Sequence, residues 1–325
     1  MINKEIIEKR LREEGPKKFR YTYEVVKGSG IFTNGRMEIN YNNLFKKLGF
    51  DPVNFKDKRV LEIGASDGAL AFYLEDMGAN VTAIDVQEPT FSGFALVQTM
   101  RNSTVDHKIM SVYDLNKEFM GTFDYITFFG VFYHMKHPIL AFERINGVSQ
   151  ENTLLFCGGQ LGDGFFYNKD TQMQDGCNLQ YITKESCPAA FSGELETVND
   201  LPYAAFVETS FLKDTSNWFL PNRRCVEAWL KRTGFELIKS LTGISKISEN
   251  PGKSLSPADP IAATEIMTRV SGHFCASYVG SAEPEFGFSP YKASNYIPTR
   301  IELEERDKRI KELEREIEQL KKSNK

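Results

Sequence analysis

The feature that most constrains the fold of this 325-residue chain is a regular alternation of strand-like and helix-like segments that begins near Lys58. Short runs of apolar and β-branched residues alternate with segments whose apolar residues recur every three or four positions. Strands in such an order pair in parallel, because the helix supplies the long crossover that a parallel connection needs. The sequence therefore predicts an α/β fold with a doubly wound, mostly parallel, Rossmann-like sheet.

We expect seven strands in this sheet. Five of them alternate with helices up to about Gly159, and two more follow a helix that starts near Pro221 and ends near Gly234. A Pro- and Ser-rich loop at 250–260 separates the last two strands, which we expect to form an antiparallel edge. In chain order the predicted strands are RVLEIG, NVTAIDV, KIMSVYD, FDYITFFGV, TLLFCGG, FELIKSL and HFCASYVGS.

Three further segments accompany this core. Residues 1–50 are expected to form an N-terminal helical extension, and residues 51–290 the main domain. Within the domain, the stretch 160–216 is rich in Gly, Asn and Asp and is too long for an ordinary connection. Such an insertion suits a lid or a substrate-binding element, and the alternative is a decorated surface loop.

The tail, 299–325, has a heptad pattern. Leu303, Ile310 and Ile317 share one heptad position, and Leu313 and Leu320 share the other. This pattern favours a parallel two-stranded coiled coil, formed by self-association or by docking to a partner enzyme. The alternative is a single charged helix folded back on the domain, since barely three heptads make a marginal coil.

Composition limits the partners. A net charge of −4 gives the chain no overall attraction to phosphate backbones, so nucleic acid is not the expected partner. No apolar run is long enough to span a bilayer, and no signal peptide is expected. The five cysteines form no CxxC pair of the kind that binds zinc, so we expect free thiols in a reducing cytoplasm and no metal site.

The segment LEIGASDG is the strongest candidate for a ligand site. It places Glu62, Gly64, Ser66 and Gly68 in a tight turn between a strand and a helix, where small residues let a ligand approach the backbone. The next strand ends at Asp85, whose carboxylate is suited to accept hydrogen bonds from both hydroxyls of a ribose. Together these residues predict a site for an adenosine-containing cofactor.

Charge distinguishes between two cofactors of this kind. Glu62 and Asp67 would repel the pyrophosphate of NAD, whereas the ammonium and sulfonium groups of S-adenosylmethionine favour nearby negative charge. We therefore expect S-adenosylmethionine. Asp114, at the end of the predicted third strand, has two open interpretations: a contact with the adenine amino group or the N-cap of a helix.

Four segments together resemble a known family: LEIGASDG, AIDV, FFGVFYHMKHP and NWFLPNRRCVEAWLKRTGF. Over roughly residues 40–240 the chain is similar to class I S-adenosylmethionine-dependent methyltransferases of the group that includes tRNA wobble-uridine carboxymethyl transferases and enzymes of glycan and secondary-metabolite pathways. The resemblance implies that Gly130 and Val131 contact the methionine part of the cofactor. It also implies that Tyr133 and His134 face the acceptor.

His134 is then a candidate general base, because it lies at the carboxyl end of a parallel strand and histidine titrates near neutral pH. The alternative is that His134 merely satisfies a buried carbonyl. Basic residues that would recognise a carboxylated cofactor have no convincing equivalent in this sequence, so ordinary methyl donation is expected.

The acceptor is expected to contact an aromatic and polar segment around position 220. Trp218 offers an aromatic face, and Asn217, Asn222 and Arg223 offer amide and guanidinium groups, a combination that suits a sugar. Plain packing under the lid is the alternative. The sequence thus predicts methylation of a hydroxyl of a carbohydrate or related small polar molecule. The alternatives are a tRNA-modifying enzyme and a non-catalytic scaffold.

Overall fold

The computed structural model describes residues 4–15, 18–167, 179–181, 201–211, 214–247 and 267–280. In chain order the strands of these residues are β1 (Arg59–Ile63), β2 (Asn80–Asp85), β3 (Asp106–Ile109), β4 (Phe123–Phe129), β5 (Ser149–Leu161), β6 (Phe165–Tyr167), β7 (Leu179–Tyr181), β8 (Ala204–Phe206), β9 (Phe219–Pro221), β10 (Phe235–Ile247) and β11 (Met267–Tyr278). The helices are α1 (Lys4–Glu14), α2 (Tyr41–Lys47), α3 (Ala69–Asp76), α4 (Phe94–Arg101), α5 (Lys117–Met120), α6 (Pro138–Gly147) and α7 (Arg223–Arg232).

The main sheet confirms the predicted α/β fold. It has seven strands in the order β10-β11-β5-β4-β1-β2-β3. The pairs β1 with β2, β1 with β4, β2 with β3 and β4 with β5 are parallel, whereas β11 is antiparallel to both β5 and β10. The two last strands therefore form the antiparallel edge that the sequence predicts.

Strand register brings chemically different residues to one edge of the sheet. Glu62 on β1 lies opposite Thr127 on β4, so the turn after β1 and the turn after β4 are neighbours. Further along the same edge, Gly158 on β5 lies opposite Phe129 and also opposite His273. The carboxyl ends of parallel strands are where ligands bind in open α/β sheets, so this edge positions the candidate site.

Two hydrophobic cores cover the two faces of the sheet. One of them includes Phe45, Val25 and Phe19 from the first fifty residues, packed with Phe72 and Phe94 from α3 and α4. Each such side chain contributes about 1.5–3 kcal/mol of burial free energy. The N-terminal segment, which we expected as an extension, therefore shares a core with the main sheet.

The third strand is shorter than predicted. The segment KIMSVYD was expected to be extended throughout, but β3 ends at Ile109 and a 3₁₀ turn follows at Val112–Asp114. Ser111 caps this turn by accepting a hydrogen bond from Tyr113 N, and Asp114 accepts one from Ser111 N. Local side-chain capping thus overrides the strand pattern, and it gives Asp114 a capping role.

Several predicted features fall outside the described residues. They are the coiled-coil tail, the loop at 250–260 and much of the insertion at 160–216. Across the portion of the chain that is described, no helix is both long and apolar enough to cross a membrane.

Candidate cofactor and acceptor site

The turn between β1 and α3 has the backbone that the glycine pattern predicts. Gly64 and Gly68 have φ values of +83° and +86°, and Ser66 also lies in the left-handed region with φ of 50°. A Cβ at Gly64 would overlap Cγ2 of Val131, and a Cβ at Gly68 would overlap the ring of Phe72. Both positions therefore require glycine, but Gly64 borders a cavity whereas Gly68 packs against the core.

Asp85 is joined to this turn. Its Oδ2 accepts a hydrogen bond from the backbone N of Ser66 at 2.8 Å, and its Oδ1 accepts one from the backbone N of Gln87 at 2.9 Å. A carboxylate has about four lone-pair positions, so each oxygen keeps capacity for another donor. The glycine turn and the end of β2 thus lie together, although Asp85 itself is not among the residues that line the adjoining cavity.

A second turn, after β4, lies beside the first. Gly130 has φ of +74°, and its backbone N donates to the carbonyl oxygen of Gly158 at 2.8 Å. Val131 follows it and contacts the turn at Gly64. The structure therefore brings Gly64, Gly130 and Val131 together, and the two glycines line the same cavity.

This cavity has a volume of about 760 Å³ and extends from the glycine turn to β5 and β11. Its roof is formed by the N-terminal segment, which contributes Arg20, Tyr21 and Tyr41. No sequence pattern in residues 1–50 indicates this roof. Among the residues that line the cavity, Gly64, Ser66 and Gly130 lie on one side, and Gly158, Ser271 and His273 lie on the other.

Glu62 is a buried acidic residue in the cavity wall. It is only 4% exposed, and its Oε2 has no hydrogen-bond partner among the described residues. Burial raises the pKa of Glu62 well above its usual range, and the nearby Asp67 and Asp85 raise it further. A buried carboxylate oxygen without a donor is costly, so the site fits a cationic group such as the ammonium of S-adenosylmethionine.

Asp67 holds the roof on the glycine turn. This side chain is fully buried, and its Oδ2 accepts hydrogen bonds from the backbone N of Arg20 at 2.7 Å and of Tyr21 at 2.8 Å. The hydroxyl of Tyr23 donates to the backbone carbonyl of Asp67. The partners are more than forty positions apart in sequence, so no local pattern signals this contact.

The titration of Asp67 gives a stability prediction. Burial raises its pKa to about 6 from an ordinary 3.8, and the amides of Tyr21 and Arg20 offset this only in part. The folded chain therefore binds the Asp67 proton more tightly than the unfolded chain does. The resulting contribution to the free energy of unfolding is complete below pH 3.8 and is lost as the pH rises through about 6. Between acid and neutral pH, the free energy of unfolding of the wild type should therefore fall by up to about 3 kcal/mol, and this fall is expected to be absent in Asp67→Asn.

Urea unfolding at pH 4 and pH 7 measures this slope. Asp106→Asn, at a carboxyl on β3 whose side chain is 55% exposed, is the matched control and is expected to keep the wild-type slope. An Asp67→Asn chain with the same pH dependence as the wild type would contradict the prediction.

The two predicted catalytic residues lie on the 3₁₀ turn Phe132–His134 that follows β4, and the structure separates them. Tyr133 is buried and lines the cavity. His134 is not among the lining residues, and its Nδ1 lies 2.9 Å from Oγ of Ser216, which also donates to Asp214. The structure thus brings Tyr133 to the cavity and ties His134 to the segment before β9.

Two of the four predicted acceptor residues, Asn217 and Trp218, lie immediately before β9. Trp218 donates its backbone N to the carbonyl of Tyr133, and Nζ of Lys136 lies 4.8 Å from the centre of its ring. Asn217 is buried, and its Nδ2 donates to the carbonyls of Phe211 and Asp214. Neither Trp218 nor Asn217 is among the residues that line the cavity.

Asn222 and Arg223 each have partners within the chain, and neither is among the residues that line the cavity. Asn222 is fully buried at the N-cap of α7, where its Oδ1 accepts hydrogen bonds from the backbone N of Cys225 and Tyr203. Arg223 forms an ion pair with Glu227 one turn along the helix. In this segment Asn222 therefore caps a helix and Arg223 takes part in a surface ion pair.

In the described part of the chain, no group of three or more His, Cys, Asp or Glu residues is arranged to bind a metal ion.

Comparison with known proteins assigns the family. A family model described as a methyltransferase domain matches residues 36–240. "Ubiquinone biosynthesis O-methyltransferase" of Xanthomonas campestris pv. campestris (strain B100) is 35% identical over 82 residues, which are 25% of this chain and 34% of that protein. The protein of the same name from Dechloromonas aromatica (strain RCB) is 31% identical over 86 residues, which are 26% and 37% of the two chains. The chain thus spans about a third of the length of these curated relatives.

The fold is also similar to a solved structure. The N-terminal domain of EvdMO1, crystallised in the presence of SAH and D-fucose, has a TM-score of 0.51 and 15% identity, and the match covers 86% of this chain and 98% of that chain. At this identity the likeness shows the fold. Because the family model spans more than half of the chain, the chain belongs to the methyltransferase domain family.

Proposed function

We propose that the chain transfers a methyl group from S-adenosylmethionine to a hydroxyl of a small polar acceptor of the carbohydrate class. The observation that carries this proposal is the roofed cavity of about 760 Å³, which joins the glycine turn to a polar end between β5 and β11. This volume is within the range of about 300–1,000 Å³ typical of small-molecule sites. A site of this size can hold the methionine part of the cofactor and a small acceptor together.

The cofactor residues divide by chemistry. Glu62 would pair with the ammonium group, Asp85 would accept the ribose hydroxyls, and the backbone at Gly64, Ser66 and Gly130 would face the methionine part. Val131 holds the turn at Gly64 in place, and Gly68 starts α3. Bound S-adenosylmethionine supplies an electrophilic methyl group on a sulfonium. An adenine contact by Asp114 stays a proposal beside its capping role.

The polar end of the cavity supports a hydroxylated acceptor. Asn40 and Asn43 from the roof and Thr242 and Ser271 from the sheet line it, and each can exchange hydrogen bonds with a sugar hydroxyl. The ring of Tyr133 adds a flat surface on which a sugar ring can pack. The methyl acceptor of the curated relatives is also an oxygen, as their name states.

Transfer of labelled methyl groups tests this proposal. The purified chain and labelled S-adenosylmethionine are incubated with one acceptor at a time: D-fucose, a nucleotide sugar, a catechol or bulk tRNA. We expect label in a sugar with the wild type and at least a hundredfold less with Glu62→Gln. Label in tRNA alone, with affinity that falls as salt rises, would instead favour the tRNA-modifying alternative. Absence of cofactor binding would favour the scaffold.

We also propose a cytoplasmic location and a docking role for the tail. Cys157, Cys225 and Cys275 are buried free thiols, as expected in a reducing compartment. The heptad pattern of 299–325 supports pairing of the tail with a second copy or with a partner enzyme.

A further inference from the structure

His273 lies in the middle of β11 and lines the cavity at the end opposite the glycine turn. His273 lies in the cavity wall, has no polar partner among the described residues and has space beside it on β5. From these observations we propose that His273 is the general base that removes the proton from the acceptor hydroxyl. This inference rests on the proposed function. It moves the base from His134, on the turn after β4, to the antiparallel edge of the sheet.

The neighbouring strand makes room for this imidazole. A Cβ at Gly158, directly opposite on β5, would lie 2.7 Å from Cδ2 of His273. The Phe129 ring lies on the same side, with its centre 5.8 Å from that of the imidazole. Glycine at 158 therefore lets the His273 ring stand over β5, and Phe129 limits where the ring can turn.

The polar atoms of this ring are available. No hydrogen bond or ion pair from the described residues reaches His273, whereas Nδ1 of His134 lies 2.9 Å from the Ser216 hydroxyl. His107, on β3, packs with its ring centre 4.4 Å from that of Phe94 and does not line the cavity. Of the histidines, His273 is thus the one that the described cavity wall contains.

The distance to the cofactor side suits one small acceptor. Gly130 donates to Gly158, and Gly158 lies opposite His273, so two strand spacings separate the methionine side from the imidazole. Strands lie about 4.8 Å apart, which gives about 10 Å between the two backbones. A single acceptor hydroxyl placed between them can face the methyl group and lie within hydrogen-bond reach of the imidazole.

The electrostatic surroundings favour a neutral base. Burial lowers the pKa of His273 below its ordinary value of 6.5. The residues opposite it, Leu241 on β10 and Gly158 on β5, do not titrate. The charged or titratable groups that line the same cavity are Arg20, Glu38, Lys47 and Glu62, with the phenols of Tyr21, Tyr41 and Tyr133.

The proton transfer balances without a further reactant. His273 accepts the hydroxyl proton while the acceptor oxygen forms its bond to the methyl carbon. The electron pair of the breaking carbon–sulfur bond stays on sulfur, which becomes a neutral thioether. The imidazolium then releases its proton to water, and the chain returns to its starting state.

His273→Gln tests the inference, with His137→Gln as the matched control on the exposed start of α6. We expect His273→Gln to lower kcat for the labelled sugar by about a hundredfold or more and to leave calorimetric binding of S-adenosylhomocysteine unchanged. Added imidazole is expected to restore part of the rate. The wild-type kcat/KM is expected to fall as the pH drops through a value below 6.5, and this fall should be missing in the variant.

Two outcomes overturn the inference while leaving the proposed function intact: full kcat in His273→Gln, or a loss confined to His134→Gln. No labelled product from the wild type would instead remove the proposed function. A measurement on the wild-type chain, without turnover, keeps the test valid if the His273→Gln variant misfolds. In the wild type with S-adenosylhomocysteine bound, the His273 ring NMR signals should shift on addition of D-fucose or another sugar that the assay labels, and unchanged signals would count against the base.

Discussion

Gly64→Ala is expected to weaken S-adenosylmethionine binding at least a hundredfold while the chain stays folded. Gly64 has φ of +83°, a conformation that costs an ordinary residue about 1–3 kcal/mol, and its new Cβ would overlap Cγ2 of Val131. Both effects displace the turn that borders the cavity. Isothermal titration measures the binding, and circular dichroism and thermal unfolding check the fold.

Two further variants separate strain from overlap. Gly28→Ala places the same side chain at φ of +78°, with nothing within 4 Å of its Cβ, and is expected to bind the cofactor as the wild type does. The double variant Gly64→Ala, Val131→Ala removes the overlapping methyl group and should recover part of the lost affinity. Unchanged binding in Gly64→Ala would mean that the turn does not contact the cofactor.

Asp85→Ala is expected to have an effect of similar size for a different reason. The proposed contact is a carboxylate that accepts two ribose hydroxyls, and hydrogen bonds to a charged group contribute about 1.5–3 kcal/mol each. Loss of both would weaken binding by roughly a hundredfold or more. The variant also leaves the backbone N of Ser66 and of Gln87 without their acceptor, so the turn loses support.

Asp85→Asn distinguishes charge from shape, because the amide keeps one acceptor oxygen for the backbone. We expect intermediate binding, between the wild type and Asp85→Ala. Glu88→Ala, at an exposed acid just after β2, is the control for a general loss of negative charge and should bind normally. Equal affinity in Asp85→Ala and the wild type would remove the ribose contact from the account.

The parts of the site that the sequence predicts are those that follow from neighbouring positions in the chain. The strand β1, the glycine turn and Asp85 at the end of β2 are close in sequence, and periodicity together with the glycines predicts their structure. The antiparallel edge of β10 and β11 is also predicted correctly, as the last two strands of this α/β architecture. These elements explain why the fold class and the cofactor follow from the residues.

Other parts depend on contacts between distant segments. The bonds from Arg20 and Tyr21 to Asp67 place the N-terminal segment over the cavity, and nothing in the first fifty residues indicates it. His273 reaches the cavity only through the order of strands in the sheet. Asn222, in contrast, looks like a sugar ligand by composition but is fully buried as a helix cap. Residue type alone does not separate these roles.

Titration of the wild-type chain with S-adenosylhomocysteine and, separately, with NAD tests the central claim most directly. We predict one binding site for S-adenosylhomocysteine, because Glu62 would meet its ammonium group and Asp85 its ribose. We predict no binding of NAD, whose pyrophosphate would lie near two carboxylates. Binding of NAD, or no heat with S-adenosylhomocysteine, would contradict it.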